Sequence, residues 1–295
     1  IAVLVSYPFR TRAFIPPQSV PPTRPEEFLL MPKSARVPAR QALSHHYGNL
    51  GSCQSEGPDQ AIRDTWGGEV EVRGLRVMAL LWLGVARERG RSTLSMRDGR
   101  AVFCPQAHFM AKVDDDVLFN PSALLHFLNK SRNPYEHGDL YLGRVHIHVA
   151  PDRDPDSKHY LPSGAYPASL YPDYCSGTAY VLSRSALLKI SLAATASPLS
   201  TPLPPEDVFV GLCARTAGVL PSHCPLFSGG PAVPYGRCCY QAMVSIHHIP
   251  PREMLHYWAD VHSSPPCSWL SIRASLGVCK VRAMLGSVLG LEQGL

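Results

Sequence analysis

The sequence predicts an α/β fold, and three features carry that prediction. Short apolar runs rich in β-forming residues alternate with segments of helical period. The helical segments open at recognisable caps, and an acidic triplet sits directly at the end of one apolar run. With 295 residues and 45% apolar content, the chain also has enough material to bury a substantial core.

Taken in order, residues 1–58 combine prolines, Arg and His with little periodicity and predict a stem or linker, with local structure only near Phe28 to Met31. Residues 59–295 are the expected folded domain. Leu75, Val77, Leu80, Leu81 and Leu83, bounded by glycines, predict a strand covered on both faces. A second strand over residues 109–113 runs straight into Asp114, Asp115 and Asp116. Asn120 then caps a helix with Pro121 in its first position and Leu124, Leu125 and Leu128 on one face.

Residues 141–148 and 179–182 predict further strands, and Ser183 caps a helix over 185–194. Pro204 and Pro205 open another helix, with Glu206 and Asp207 in its first turn and Gly218 beyond its end. A short strand over 243–246 leads to His247 and His248. In the tail, Ile272, Leu276, Cys279, Leu285 and Leu289 share a helical face with Arg273, Lys280 and Arg282 nearby, which fits docking on the core or contact with a membrane surface.

The net charge of +5 is scattered, without basic runs or basic-aromatic alternation, so nucleic acid is excluded as a partner. Nine cysteines without a C-x-x-C pair favour an oxidising compartment, with their pairing left open. The sequon at Asn129 agrees with that as a candidate glycosylation site. No stretch of the sequence approaches a membrane span. The chain does not begin with Met, and a membrane anchor is expected upstream.

Three aspartates at a strand end supply hard oxygen ligands suited to Mg²⁺ or Mn²⁺, although a solvated acidic turn has the same composition. A histidine added to that set leans toward Mn²⁺, and either His247 or His248 qualifies. Glu206 and Asp207 offer a general base, but carboxylates in a first helical turn also serve the helix dipole for about 0.3–1 kcal/mol each. From the residues alone both readings stand.

Several separated segments in a common order resemble the beta-1,3-galactosyltransferase family, glycosyltransferase family 31. They are Ala61 to Gly67, Phe109 to Val117, Tyr141 to Arg144, Pro172 to Ser183, Glu206 to Gly211 and the region of His248. The resemblance implies a GT-A-like, Rossmann-type nucleotide-sugar transferase fold with a mixed central sheet. It implies inverting transfer of galactose from UDP-galactose to a glycolipid or glycan acceptor with Mn²⁺, in the Golgi lumen on an anchored protein.

Carried onto this sequence, the metal ligands fall on Asp114, Asp116 and His248, the preferred base on Asp207, and a second choice on Glu206. Donor-binding positions fall on Arg63, Trp66, Asp114, Asp115, Lys158, Tyr174, Ser176 and Gly177. Arg237, Cys238, Cys239, Tyr240, Cys267, Trp269, Cys279, Arg282 and Ala283 resemble family members that extend ganglio-series glycolipids at a terminal N-acetylgalactosamine. The same constellation serves N-acetylhexosaminyl transfer, and an inactive UDP- or sugar-binding relative is a further alternative.

The sequence departs from the family pattern in two places. The segment near 85–102 is shortened, and 44–59 lacks the strand expected just before Ala61. A sheet element is therefore expected to be missing from the N-terminal half.

Overall fold

The structure, a computed structural model, describes residues 2–5, 61, 64–66, 70–72, 75–80, 108–130, 138–157, 159–197 and 204–288. The strands are β1 (Ala2–Val5), β2 (Val70–Val72), β3 (Leu75–Leu80), β4 (Phe109–Val113), β5 (Leu118–Phe119), β6 (Tyr141–His146), β7 (Tyr174–Ser183), β8 (Ser222–His223) and β9 (Ser245–Ile246). The helices are α1 (Pro121–Lys130), α2 (Arg184–Thr195), α3 (Glu206–Thr216), α4 (Arg237–Ala242), α5 (Pro251–Val261) and α6 (Trp269–Val288). The main sheet has seven strands in the order β2-β3-β1-β4-β7-β6-β8, and β5 pairs separately with β9.

The expectation of a linker over 1–58 is corrected at its start. Ala2–Val5 forms a strand between β3 and β4, with Ala2 opposite both Leu80 and Lys112. Four consecutive apolar residues suit an interior strand, and the sheet takes this one from the first residues of the sequence. Residues 6–60 and the shortened segment 85–102 lie outside the described residues.

An α/β domain with a mixed sheet is thus present, and its strand directions are informative. β1 runs antiparallel to β3 and β4, and β7 antiparallel to β4 and β6, while β6 and β8 are parallel. A Rossmann-type half-sheet would instead set parallel neighbours side by side through helical crossovers. Among the described strands, β1, β3 and β4 do not have that arrangement.

The two faces of the sheet follow from the period of two along each strand. Phe109, Ala111 and Val113 of β4, Leu142 of β6, and Ala179 and Val181 of β7 face one core, which includes Leu124 and Leu128 of α1, Met254 of α5 and Cys279 of α6. Met110, Tyr141, Tyr180 and Leu182 face the other, which is built from Ala186, Leu187 and Ile190 of α2 and Phe209, Val210 and Cys213 of α3. Lys112 follows the parity of Met110, so a lysine takes an interior position on the α3 side. That placement shapes the site.

Local signals set the helix starts. The Asn120 side chain accepts from the Ala123 N–H at 3.1 Å, and the Ser183 hydroxyl accepts from the Ala186 N–H at 3.3 Å. α3 starts after Pro205, and Gly218, at φ +71°, takes the left-handed position just past its end. Gly211 lets α3 approach β7, since a Cβ there would stand 2.5 Å from Cβ of Tyr174.

The C-terminal segment is cross-linked. Disulfides join Cys238 to Cys267 and Cys239 to Cys279, each restricting the unfolded chain by about 3–4 kcal/mol in the loop-entropy account. The Arg237 guanidinium donates to the carbonyls of Asp260, Ser263 and Pro265. The subgroup-marking residues Arg237, Cys238, Cys239, Cys267 and Cys279 therefore form a scaffold that fixes α4 against α5 and α6. Cys175, Cys213 and Cys224 are buried free thiols.

Candidate active site

Three chain segments meet at the end of β4: the acidic triplet, the β7 backbone around Gly177, and the first turn of α3. β4 and β7 are tied here by the Asp114 N–H, which donates to the Thr178 carbonyl at 2.9 Å. Lys112 supplies the next link. Its ammonium donates to Oδ1 of Asp114 and to the carbonyl oxygen of Gly177.

On its other side Gly177 donates its N–H to Oδ2 of Asp207 at 3.0 Å, while the Val208 N–H donates to Oδ1 of the same carboxylate at 2.9 Å. A Cβ at Gly177 would lie 3.2 Å from Asp207 Oδ2, so a side chain there would push the carboxylate back by a few tenths of an ångström. Asp114, Lys112, Gly177 and Asp207 thus form one continuous set of contacts. Glu206 accepts a hydrogen bond from the Tyr180 hydroxyl at 2.9 Å, and its charge also acts on Lys112.

The triplet itself divides. Asp114 leans back onto Lys112, whereas Asp116 Oδ2 lies 3.0 Å from Nε2 of His247. Asp116, His247 and His248 each offer one ligand atom, and these atoms lie within 4.8 Å of one another. The Ile249 N–H donates to the Asp116 carbonyl at 2.9 Å, and the His247 N–H to the Ser228 hydroxyl at 2.7 Å, which holds the histidine pair against the β4 end. His248 has φ +65°, a left-handed conformation uncommon outside glycine that aims its ring toward the same cluster. Asp115 is exposed.

Charge compensation differs along this short segment. Burial pushes the Asp114 carboxyl above the usual aspartate range even though Lys112 pulls the other way. Asp116 is held below that range, because the hydrogen bond and charge of His247 outweigh its own burial. Burial alone would depress the Lys112 ammonium, but Glu206, Asp114 and Asp207 together raise it.

The remaining expected site residues are dispersed. Ser176 is buried, with its hydroxyl 3.2 Å from that of Thr178. Tyr174 opens β7 beside His146, with ring centroids 5.2 Å apart, and burial raises its phenol to about 12. Trp66 does not line a donor site: it is 0% exposed and packs edge-on against Phe119 in the core, 5.9 Å between centroids. Arg63 and Lys158 lie outside the described residues, as does the side chain of Asn129, in the last turn of α1.

Sequence reasoning missed Lys112 and, with His248 taken from the resemblance, did not foresee the contact of His247 with Asp116. For Lys112 a signal was available, since a lysine one step before the end of an apolar strand at an acidic triplet either interrupts the strand or serves the acids. The contact between His247 and Asp116 has no local signature, because it depends on β9 pairing with β5 across more than a hundred residues.

The galactosyltransferase family matches residues 92–225. Human beta-1,3-galactosyltransferase 9 is 29% identical over 261 residues, spanning 79% of this chain and 69% of that protein. Mouse beta-1,3-galactosyltransferase 4 is 33% identical over 281 residues, 75% of this chain and 74% of its own length. Over a shorter stretch of 145 residues, 49% of this chain and 37% of the relative, lactosylceramide 1,3-N-acetyl-beta-D-glucosaminyltransferase B of Xenopus laevis is 41% identical.

An α/β domain with these relatives, and with carboxylates gathered at a strand end, is a hexosyltransferase. Coverage of nearly three quarters of the mouse protein at 33% identity is specific enough to place it further. The chain belongs to the beta-1,3-galactosyltransferase family.

Proposed function

We propose that the protein transfers galactose from UDP-galactose, with inversion, to the 3-hydroxyl of a terminal N-acetylgalactosamine on a glycolipid or related glycan. The observation that carries this reading is the fixed Asp207 carboxylate at the start of α3, linked through Gly177 and Lys112 to the acidic end of β4.

Each Asp207 oxygen accepts one backbone N–H and keeps a lone pair free. The carboxylate can therefore take the acceptor hydroxyl's proton as that oxygen bonds to the anomeric carbon and the bond to UDP breaks. Direct displacement of this kind inverts the anomeric centre. Glu206, engaged with Tyr180, steadies the same turn.

One carboxylate oxygen and two imidazole nitrogens at this spacing suit a divalent cation, which the family resemblance makes Mn²⁺, so Asp116, His248 and His247 would hold it, and Asp114 would join them only by releasing Lys112. A cation held by these residues would supply positive charge to offset that of the leaving diphosphate. The donor would then lie at the β4 end, near Tyr174, Ser176 and Gly177. The two disulfides support work in an oxidising lumen, and we place the protein at the Golgi membrane.

The test is turnover of UDP-galactose with Mn²⁺ and an N-acetylgalactosamine-terminated acceptor, with Asp207→Asn in parallel. Product formed by the parent and lost in the variant supports both donor and base. The Xenopus relative's name favours a second reading, an N-acetylglucosaminyl donor. Competition among the three UDP-sugars decides between them: preference for a UDP-N-acetylhexosamine removes the galactosyl assignment.

A further inference from the structure

Helix α6 carries two apolar faces. Leu276 and Cys279 pack into the core beneath it, Ala283 is buried, and the disulfide from Cys279 to Cys239 fixes that side inward. The opposite face therefore cannot rotate into the domain. Its Leu270, Val278, Val281 and Leu285 are 71%, 52%, 55% and 53% exposed. At 3.6 residues per turn these four fall within roughly 80° of arc, a stripe about 22 Å long.

The polar surround of the stripe has one sign. Arg273 and Arg282 are exposed and flank it on either side, and α6 carries Arg273, Lys280 and Arg282 with no acid. At the helix start Trp269 is 63% exposed, and the Arg273 guanidinium lies 4.9 Å from its ring centre. Val278 and Arg282 continue into an open groove of about 270 Å³ shared with Tyr235 and Ala274.

A long apolar stripe on a single domain marks a contact surface. Two copies meeting symmetrically through this face would bring like-charged arginines together, with no acid on the helix to meet them. A lipid surface satisfies both parts at once, taking the stripe at the acyl boundary and the arginines at anionic headgroups. We propose that α6 is an interfacial helix that seats this domain on a lipid surface bearing anionic headgroups.

The test is co-sedimentation of the full chain with phosphatidylcholine vesicles, with and without phosphatidylserine. Binding to the anionic vesicles is expected, falling roughly tenfold or more in Val281→Glu/Leu285→Glu and also in Arg273→Gln/Arg282→Gln. Binding that neither variant weakens, no binding by the parent, or a parent dimer that the glutamate variant dissociates overturns the proposal. Turnover on a soluble acceptor separates this from the catalytic reading: both surface variants keep it and thereby prove folded, while Asp207→Asn loses it and still binds vesicles.

Discussion

At the end of β4 the carboxylates are compensated by side chains, with Lys112 on Asp114 and His247 on Asp116. At the start of α3 the compensation is mostly backbone, since the Gly177 and Val208 N–H groups hold Asp207. Side-chain partners can swing away and give up their place to a cation or a diphosphate, whereas backbone donors stay with the sheet and helix that carry them. The first region suits exchange and the second a fixed direction, which is the division of labour that the proposed donor binding and proton acceptance would require.

The largest expected effect breaks the fixed member. Asp207→Asn keeps an oxygen for one backbone N–H but has no basic lone pair, and turnover should fall by roughly 10²–10⁴-fold. UDP binding, read by calorimetry, should be nearly unchanged. A variant that loses UDP binding in proportion to turnover would move Asp207 from the base to the donor site.

Next in size is the link between the regions. Lys112→Met removes the cation from a half-exposed carboxylate and leaves the Gly177 carbonyl without its partner. Because 41% of the Asp114 side chain is exposed, solvent softens the loss, and about 1–3 kcal/mol of stability is expected in denaturant titrations. Turnover should fall more than donor affinity does, because Gly177 also orients Asp207. Equal losses in both would make Lys112 a donor contact instead.

Gly211→Ala probes how α3 is seated. The new methyl meets Cβ of Tyr174 at 2.5 Å, so the helix must back away from β7 at a cost of roughly 1–3 kcal/mol. Activity should drop through displacement of Asp207, and the melting temperature should drop with it. A stable but inactive variant would show that the position of the first turn matters more than the packing of the helix.

Much of the fold was legible where signal and structure are local. The strand at Phe109–Val113, the caps at Asn120 and Ser183, the start of α3 and its glycine stop all rest on neighbours within a few residues. β7 is longer than its apolar stretch, because its start, Tyr174 and Cys175, pairs with His146 and Val145 of β6 beyond a shift in register. β1 was illegible: Ala2–Val5 is too short to declare itself, and its partners are more than seventy residues away.

Within the site, the sequence exposed the acids, through their motifs, and hid what holds them. Trp66 shows the reverse error, a motif residue expected at the donor that the structure spends on the core.

The smallest effect calibrates the others. Lys189 on α2 donates to Oδ2 of Asp139 at 2.6 Å, an ordinary ion pair with the lysine 53% exposed. That hydrogen bond holds the Asp139 carboxyl below the usual aspartate range. A depressed folded-state value means the pair stabilises the fold above the unfolded value, near 3.9, and loses that contribution as pH falls through the folded one. Lys189→Ala should cost about 0.2–1 kcal/mol at neutral pH, less in high salt, and progressively less as pH falls through the folded-state value. If instead it costs as much as Lys112→Met, the interior place of Lys112 adds nothing to an exposed pair, and the link between β4 and α3 is held by its backbone contacts alone.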